Sequence, residues 1–386
     1  MIHVRNIVST GCVVTTEATA RIEGALREGA RELDLSGLAL SRLPESLRNL
    51  TSLESLNVNT NALTDLPDWL GELSSLTRID LRWNRLTAVP ECVRDLPVLE
   101  RLDLPANDVR KLPDWLVELR SLRSLWVQGT GLTELPEFVG RMTSLTYLNV
   151  YGNSITELPD SLGGLTSLKG LSLTDNKLVA LPESLGNLTA LEHLSADRNA
   201  IAELPEAMGN LSSLNNLDLR RNALTRLPET LGRLASLTHL DLTGNSLGSL
   251  PESLGHLPAL RYLSLDGNAL ISLPESLGGL PELGYLDVMH NLLTDVPESL
   301  GDLRSLKRLL LRGNALTTLP ESLRKLTALK KFDVAHNALR ELPEWLDELP
   351  ARVIRGKQRV RAGRRCACRD CRRWLGTWSP RTLRDL

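Results

Sequence analysis

The chain has 386 residues, a formal net charge of -2, 42% hydrophobic residues and only 3% aromatic ones. That length exceeds one ordinary compact core, and so few rings exclude a core filled by aromatic side chains. The near-zero total also hides an asymmetry: residues 351–386 carry 12 Lys or Arg against two Asp, which leaves 33 basic and 45 acidic residues in 1–350.

Residues 1–16 are expected to be disordered or loosely attached. Ser9-Thr10-Gly11-Cys12 faintly matches a lipoprotein cleavage site, but Ile7-Val8 is too short to be its apolar segment. No run of about 18 apolar residues is present, so no membrane-spanning helix is expected. Residues 17–32 are expected to form a helical cap, with Ile22, Leu26 and Ala30 on one face.

From residue 33 to residue 350 the sequence repeats. Asn61, Asn84 and Asn107 are 23 residues apart, and the step continues from Asn153 to Asn337, broken only by Thr130. Fourteen prolines, from Pro44 to Pro343, keep the same interval. The unit is L-x-x-L-x-L-x-x-N-x-L-x-x-L-P-x-x-L-G-x-L-x-x, and residues 168–190 (LKGLSLTDNKLVALPESLGNLTA) are a clean copy.

The L-x-L segment alternates, so it predicts a short strand with its leucines facing inward. Stacked units then pair into a parallel sheet. The asparagine follows the strand, where its amide can both donate to and accept from neighbouring coils. Thr130 offers less and predicts a local weak point. The proline cannot donate to a ladder and ends strand pairing, and the short segment after it predicts a 3₁₀ turn.

This pattern resembles the leucine-rich repeat. Its L-P-x-x-L-G-x-L half resembles the intracellular 23-residue class of Ras-suppressor-like, Scribble-type and plant disease-resistance-like repeats. The resemblance covers the repeats of residues 33–350 and implies an α/β solenoid, a horseshoe with a concave parallel sheet and a convex side of helical or 3₁₀ turns. It also implies an intracellular role in signalling or assembly, with small GTPases among the partner classes. The chain is expected to be a non-enzymatic, monomeric scaffold, and its cysteine usage fits a reducing, cytoplasmic setting.

Outward strand positions define the expected binding face. Arg78, Asp80, Arg82, Trp83, Arg101, Asp103, Trp126, Tyr147 and Tyr151 form a first patch, and Tyr262, Tyr285, Met289, His290, Arg308 and Arg312 a second. Trp, Tyr and Arg dominate interface energies, although Tyr also simply favours strands. Trp69, Trp115 and Trp345 follow the return proline and are expected to pack on that side.

Asp80 and Asp103 should lie about 5 Å apart on adjacent strands. Such a pair can perform acid–base chemistry, attract a basic partner, or simply be solvated beside arginines. An open sheet excludes no water, which weighs against catalysis. His193 and His239 are two coils apart, too far to share a metal. No G-x-x-x-x-G-K-[ST] loop is present, and no cofactor is expected.

The tail, residues 351–386, is expected to be disordered. Cys366, Cys368 and Cys371 lack a nearby fourth zinc ligand. The tail's charge suits nucleic acid or an anionic membrane, which gives a second expected function: an effector or regulator that the tail delivers to its target.

Overall fold

The computed structural model describes residues 5–356 and Gln358. They fall into two compact units, Met1–His239 and Leu240–Leu386. Cys366, Cys368, Cys371 and the rest of the basic tail lie outside the described residues.

The first unit opens with helix α1 (Arg5–Glu28). Strands of three residues follow: β1 (Glu32–Asp34), β2 (Ser55–Asn57), β3 (Arg78–Asp80), β4 (Arg101–Asp103), β5 (Ser124–Trp126), β6 (Tyr147–Asn149), β7 (Gly170–Ser172), β8 (His193–Ser195) and β9 (Asn216–Asp218). Each pairs in parallel with the next, every residue opposite the one 23 positions later, as in Leu148 against Leu171. An exact 23-residue spacing leaves no room for slippage, because a one-residue shift would turn the core leucines outward.

Strand β10 (His239–Asp241) falls at the sequence boundary between the units. The second unit contains β11 (Tyr262–Ser264), β12 (Tyr285–Asp287), β13 (Arg308–Leu310), β14 (Lys331–Asp333) and β15 (Arg352–Ile354). These five are also parallel neighbours in order.

Each coil returns through a 3₁₀ turn that begins after the proline. In Glu229–Arg233, Pro228 holds φ -71° and ψ 145°, Leu231 N–H donates to Pro228 O at 3.1 Å, and Leu234 N–H to Leu231 O at 3.2 Å. Five residues are too few for a stable α-helix, and the tighter turn keeps the return short. The seven leucines of 168–190 are all buried, and burying each contributes roughly 2 kcal/mol.

The asparagines join coil to coil. Asn176 donates Nδ2 to Val150 O and Leu173 O, both at 3.0 Å, while its Oδ1 accepts from Ile155 N–H at 3.1 Å. Thr130 keeps one of these bonds: its Oγ1 donates to Val127 O at 2.9 Å. Asn153 Oδ1 partly repairs the site by accepting from both the Thr130 and Leu132 N–H groups.

Both ends depart from the sequence expectation. Helix α1 starts at Arg5, not Glu17, so residues 5–16 are helical rather than irregular. Its buried stripe is Ala18, Ile22 and Ala25, with Leu26 on the exposed side. The spacing i, i+4, i+7 fits one helix face better than the expected 22/26/30 stripe, which drifts away from it. The helix ends at Gly29, φ +61°, where Ala30 N–H reaches back to Ala25 O at 2.9 Å, a Schellman closure.

At the other end Trp345, Leu346 and Leu349 are buried, but the sheet does not stop at Pro350. Strand β15 adds to β14 with a 21-residue step, Phe332 opposite Val353. Gln358 then takes the ladder role, donating Nε2 to Val334 O at 3.2 Å and Arg355 O at 2.7 Å. The shorter step and the replacement of Asn by Gln hid this coil from the asparagine register.

Candidate binding surface

The first patch lies on the strand face of β3 to β6. Trp83 is 66% exposed, Tyr147 43% and Tyr151 40%, and all three stand among the large apolar residues left open to solvent. Trp83 is held at φ +54°, a left-handed conformation. Other coils are left-handed at the same register too, held by glycine at positions such as Gly129 and Gly152 and by larger residues such as Thr60, Asp175, Arg198 and Arg221. A non-glycine residue there costs about 1–2 kcal/mol, and an indole left 66% exposed recovers little of it through packing.

Asp80 and Asp103 are register partners on β3 and β4, but each is engaged by its own arginine. Arg82 grips Asp80 through Nε–Oδ1 at 2.9 Å and Nη2–Oδ2 at 2.5 Å. Burial raises the Asp80 pKa, but the Arg82 hydrogen bonds and charge outweigh it and hold the carboxyl below its ordinary value. Asp103 is more deeply buried, and desolvation leaves its pKa raised despite the Arg101 Nε–Oδ2 bond at 2.8 Å. The two carboxylates are thus set apart by environment.

Arg101 also lies over the half-buried Trp126 ring, its guanidinium carbon 4.9 Å from the ring centroid. Arg78, exposed beside them, pairs with Glu32 at 2.8 Å. The sequence places these residues on one face. The Arg101–Trp126 stack is diagonal to the register of β4 on β5, which sets Arg101 opposite Ser124 and Asp103 opposite Trp126, so the 23-residue spacing alone does not reveal it.

The second patch is more self-contained. Tyr262 and Tyr285 stack on each other with centroids 4.5 Å apart and planes 12° from parallel. Tyr285 OH donates to Asp287 Oδ2 at 3.1 Å, and Met289 N–H donates to Asp287 Oδ1 at 3.0 Å. Burial pushes the Asp287 carboxyl up to about 6. His290 Nδ1 lies 2.7 Å from Asp266 Oδ1, a pairing offset by one residue from strand register and so invisible in the column count. Arg312 Nε reaches Asp333 Oδ2 at 3.1 Å, while Arg308 is exposed. Rings and charges here largely satisfy each other, whereas the first patch leaves its aromatic surface open.

On the return side Trp115 and Trp345 are buried and Trp69 is half-buried. Among the described residues, no three His, Cys, Asp or Glu side chains converge where a metal ion could sit.

Two family models match: one described as a leucine-rich repeat region, over residues 114–199, 145–222 and 240–351, and one described as a leucine rich repeat, over 29–86 and 204–247. The chain belongs to the leucine-rich repeat family, and neither matching model describes a catalytic family.

Among solved structures, a leucine-rich repeat protein of Leptospira interrogans is similar at 27% identity and TM-score 0.62, over 86% of this chain and 98% of that one. The plant peptide hormone receptor RGFR1, in complex with RGF2, is similar at 26% identity and TM-score 0.63, over 86% of this chain and 64% of that one. A chain of the complex of the Arabidopsis receptor kinase HAESA with the peptide hormone IDA and the co-receptor SERK1 is similar at 28% identity and TM-score 0.64, over 81% of this chain and 59% of that one. A search of curated proteins returned no match. Fold and neighbours together support a protein-binding scaffold.

Proposed function

We propose that this chain is a scaffold that binds a protein or peptide partner on its strand face, with the first patch as the main anchor. The observation that carries this reading is Trp83, a large apolar ring left two-thirds exposed on the strand face. Tyr147 and Tyr151 extend the same surface by three strands, and exposed aromatic clusters of this kind mark interfaces. Two neighbours form complexes of this kind, RGFR1 with RGF2 and HAESA with the peptide hormone IDA and the co-receptor SERK1, which supports the partner class. The resemblance of the L-P-x-x-L-G-x-L half supports a role in cytoplasmic signalling or assembly, with small GTPases among the candidates.

The test is capture from source-cell lysate, comparing wild type with Trp83/Trp126/Tyr147/Tyr151→Ala. Trp69→Ala serves as the return-side control, because Trp115 is buried and its loss would perturb the core. A partner lost only with the strand-face variant supports the reading; a partner lost equally with Trp69→Ala overturns it.

The charge of the tail supports a second reading, in which residues 359–386 bring the scaffold to nucleic acid or an anionic membrane. Truncation after Gln358 keeps β15 and its ladder bonds. Salt-sensitive binding to duplex DNA or anionic vesicles that disappears with this truncation is the expected result.

A further inference from the structure

The strand face of the first unit holds a buried carboxylate oxygen without a hydrogen-bond partner among the described residues. Asp103 is 5% exposed. Its Oδ2 accepts from Arg101 Nε at 2.8 Å, whereas its Oδ1 is buried and unpartnered. Trp126, opposite Asp103 in the β4–β5 register, has a buried Nε1–H with no acceptor, and Gln128, two residues on, has a buried Oε1 with no donor. Adjacent strands lie about 4.8 Å apart and alternate residues about 7 Å apart, so the three groups share one small area.

Each such omission costs about 1–3 kcal/mol, and more when the group is charged. Native proteins tolerate few of them. Three together on an open face describe the complement of a ligand.

The set consists of two acceptors, one of them ionic, and one donor, beside an aromatic face. An anion would meet the Asp103 charge. A lysine ammonium would satisfy the charge but is a compact point donor with no plane to lay on a ring. A guanidinium offers five N–H groups in one plane, a positive charge, and a flat surface that stacks on indole. The chain itself places one there: the Arg101 guanidinium carbon is 4.9 Å from the Trp126 ring centroid. Arg101 lies two residues before Asp103 on the same strand and bonds the carboxylate only through Nε, so Oδ1 stays unpartnered.

We propose that Asp103, Trp126 and Gln128 form a receptor site for an arginine side chain carried by an extended peptide of the partner. The incoming guanidinium donates to Asp103 Oδ1 and Gln128 Oε1, and a main-chain carbonyl of the same peptide accepts from Trp126 Nε1. Arg101, whose side chain is 42% exposed, moves along the ring to admit it. Burial holds the Asp103 carboxyl above its ordinary pKa even with Arg101 bound, and a second cation relieves that desolvation. The proposal deepens the strand-face reading and rests on it.

The experiment uses the full chain with ¹⁵N-labelled tryptophan, whose indole N–H signals are read by NMR; Trp126→Phe assigns the signal of interest. The probes are N-acetyl-arginine methylamide, its uncharged isostere N-acetyl-citrulline methylamide, and N-acetyl-lysine methylamide, each titrated to millimolar concentrations. The arginine probe should shift the Trp126 indole signal saturably, and the other two should bind about tenfold more weakly or worse. Asp103→Asn should abolish the arginine effect while leaving the Trp69 and Trp115 signals in place, which shows that the fold survives. Equal shifts from citrulline or lysine, persistence in Asp103→Asn, or no shift from arginine would each overturn the proposal. A silent titration alongside lysate capture that still depends on Trp83 and the tyrosines removes the arginine site and leaves the scaffold reading standing.

Discussion

Asn222 donates its Nδ2 to the carbonyl of Ala196 at 2.9 Å, 26 residues back along the chain. The same amide donates to Leu219 O at 3.0 Å, and its Oδ1 accepts from Ile201 N–H at 3.0 Å. One side chain therefore fastens three points on successive coils. Asn222→Ala removes these bonds and should cost about 1–3 kcal/mol, read as a lower urea midpoint of the full chain. An unchanged midpoint would show that the ladder is dispensable. Thr130→Asn is the converse: it supplies the missing acceptor for Val109 N–H and should raise stability by about 1 kcal/mol.

The ladder explains what the sequence could disclose. Leucine, asparagine and proline recur because each coil poses the same packing problem, so the strands, the register and the 3₁₀ returns are written in a 23-residue period. The ends are not periodic, and there legibility failed. Gln358 does Asn work at a 21-residue step, and α1 buries Ala18, which carries little hydrophobic signal. The candidate surface was legible as columns, since side chains alternate across a strand. Pairings across the columns were not: Arg101 on Trp126 and Asp266 on His290 depend on rotamers that composition does not encode.

Trp83 offers a test that separates stability from recognition. Trp83→Gly relieves the left-handed backbone but adds glycine's entropy in the unfolded chain, and the two effects are each about 1 kcal/mol. Stability should therefore change by no more than about 1 kcal/mol, while partner capture falls sharply. A large loss in the urea midpoint would instead make Trp83 a structural residue.

The glycine of each L-P-x-x-L-G-x-L return is fixed by the coil that follows. A Cβ on Gly209 would lie 2.4 Å from Thr230 O and 2.7 Å from Thr230 Cβ, so the two returns would have to separate. Gly209→Ala should cost about 1–3 kcal/mol from overpacking. At Gly248 a Cβ would meet nothing within 4 Å. Gly248→Ala should thus be neutral or stabilising by about 0.5 kcal/mol, because it only reduces the freedom of the unfolded chain. Equal thermal shifts for the two variants would mean that close approach of the returns is not what selects glycine.

Asp287 gives the second unit a pH dependence of defined sign. Its folded carboxyl is pushed up to about 6, chiefly by burial, from an ordinary 3.8. The folded state thus favours the protonated form. The stability linked to this group is fully present below pH 3.8 and is lost as pH rises through about 6. Asp287→Asn keeps a neutral group that can still accept from Met289 N–H, while Tyr285 OH can rotate to accept. The variant should match wild type in acid and exceed it by about 1–3 kcal/mol above pH 7. Urea midpoints of both proteins at pH 4 and pH 8 check this, because the difference between them cancels the other carboxylates. A constant difference at the two values would show that Asp287 titrates normally and that its burial is offset by its two hydrogen bonds.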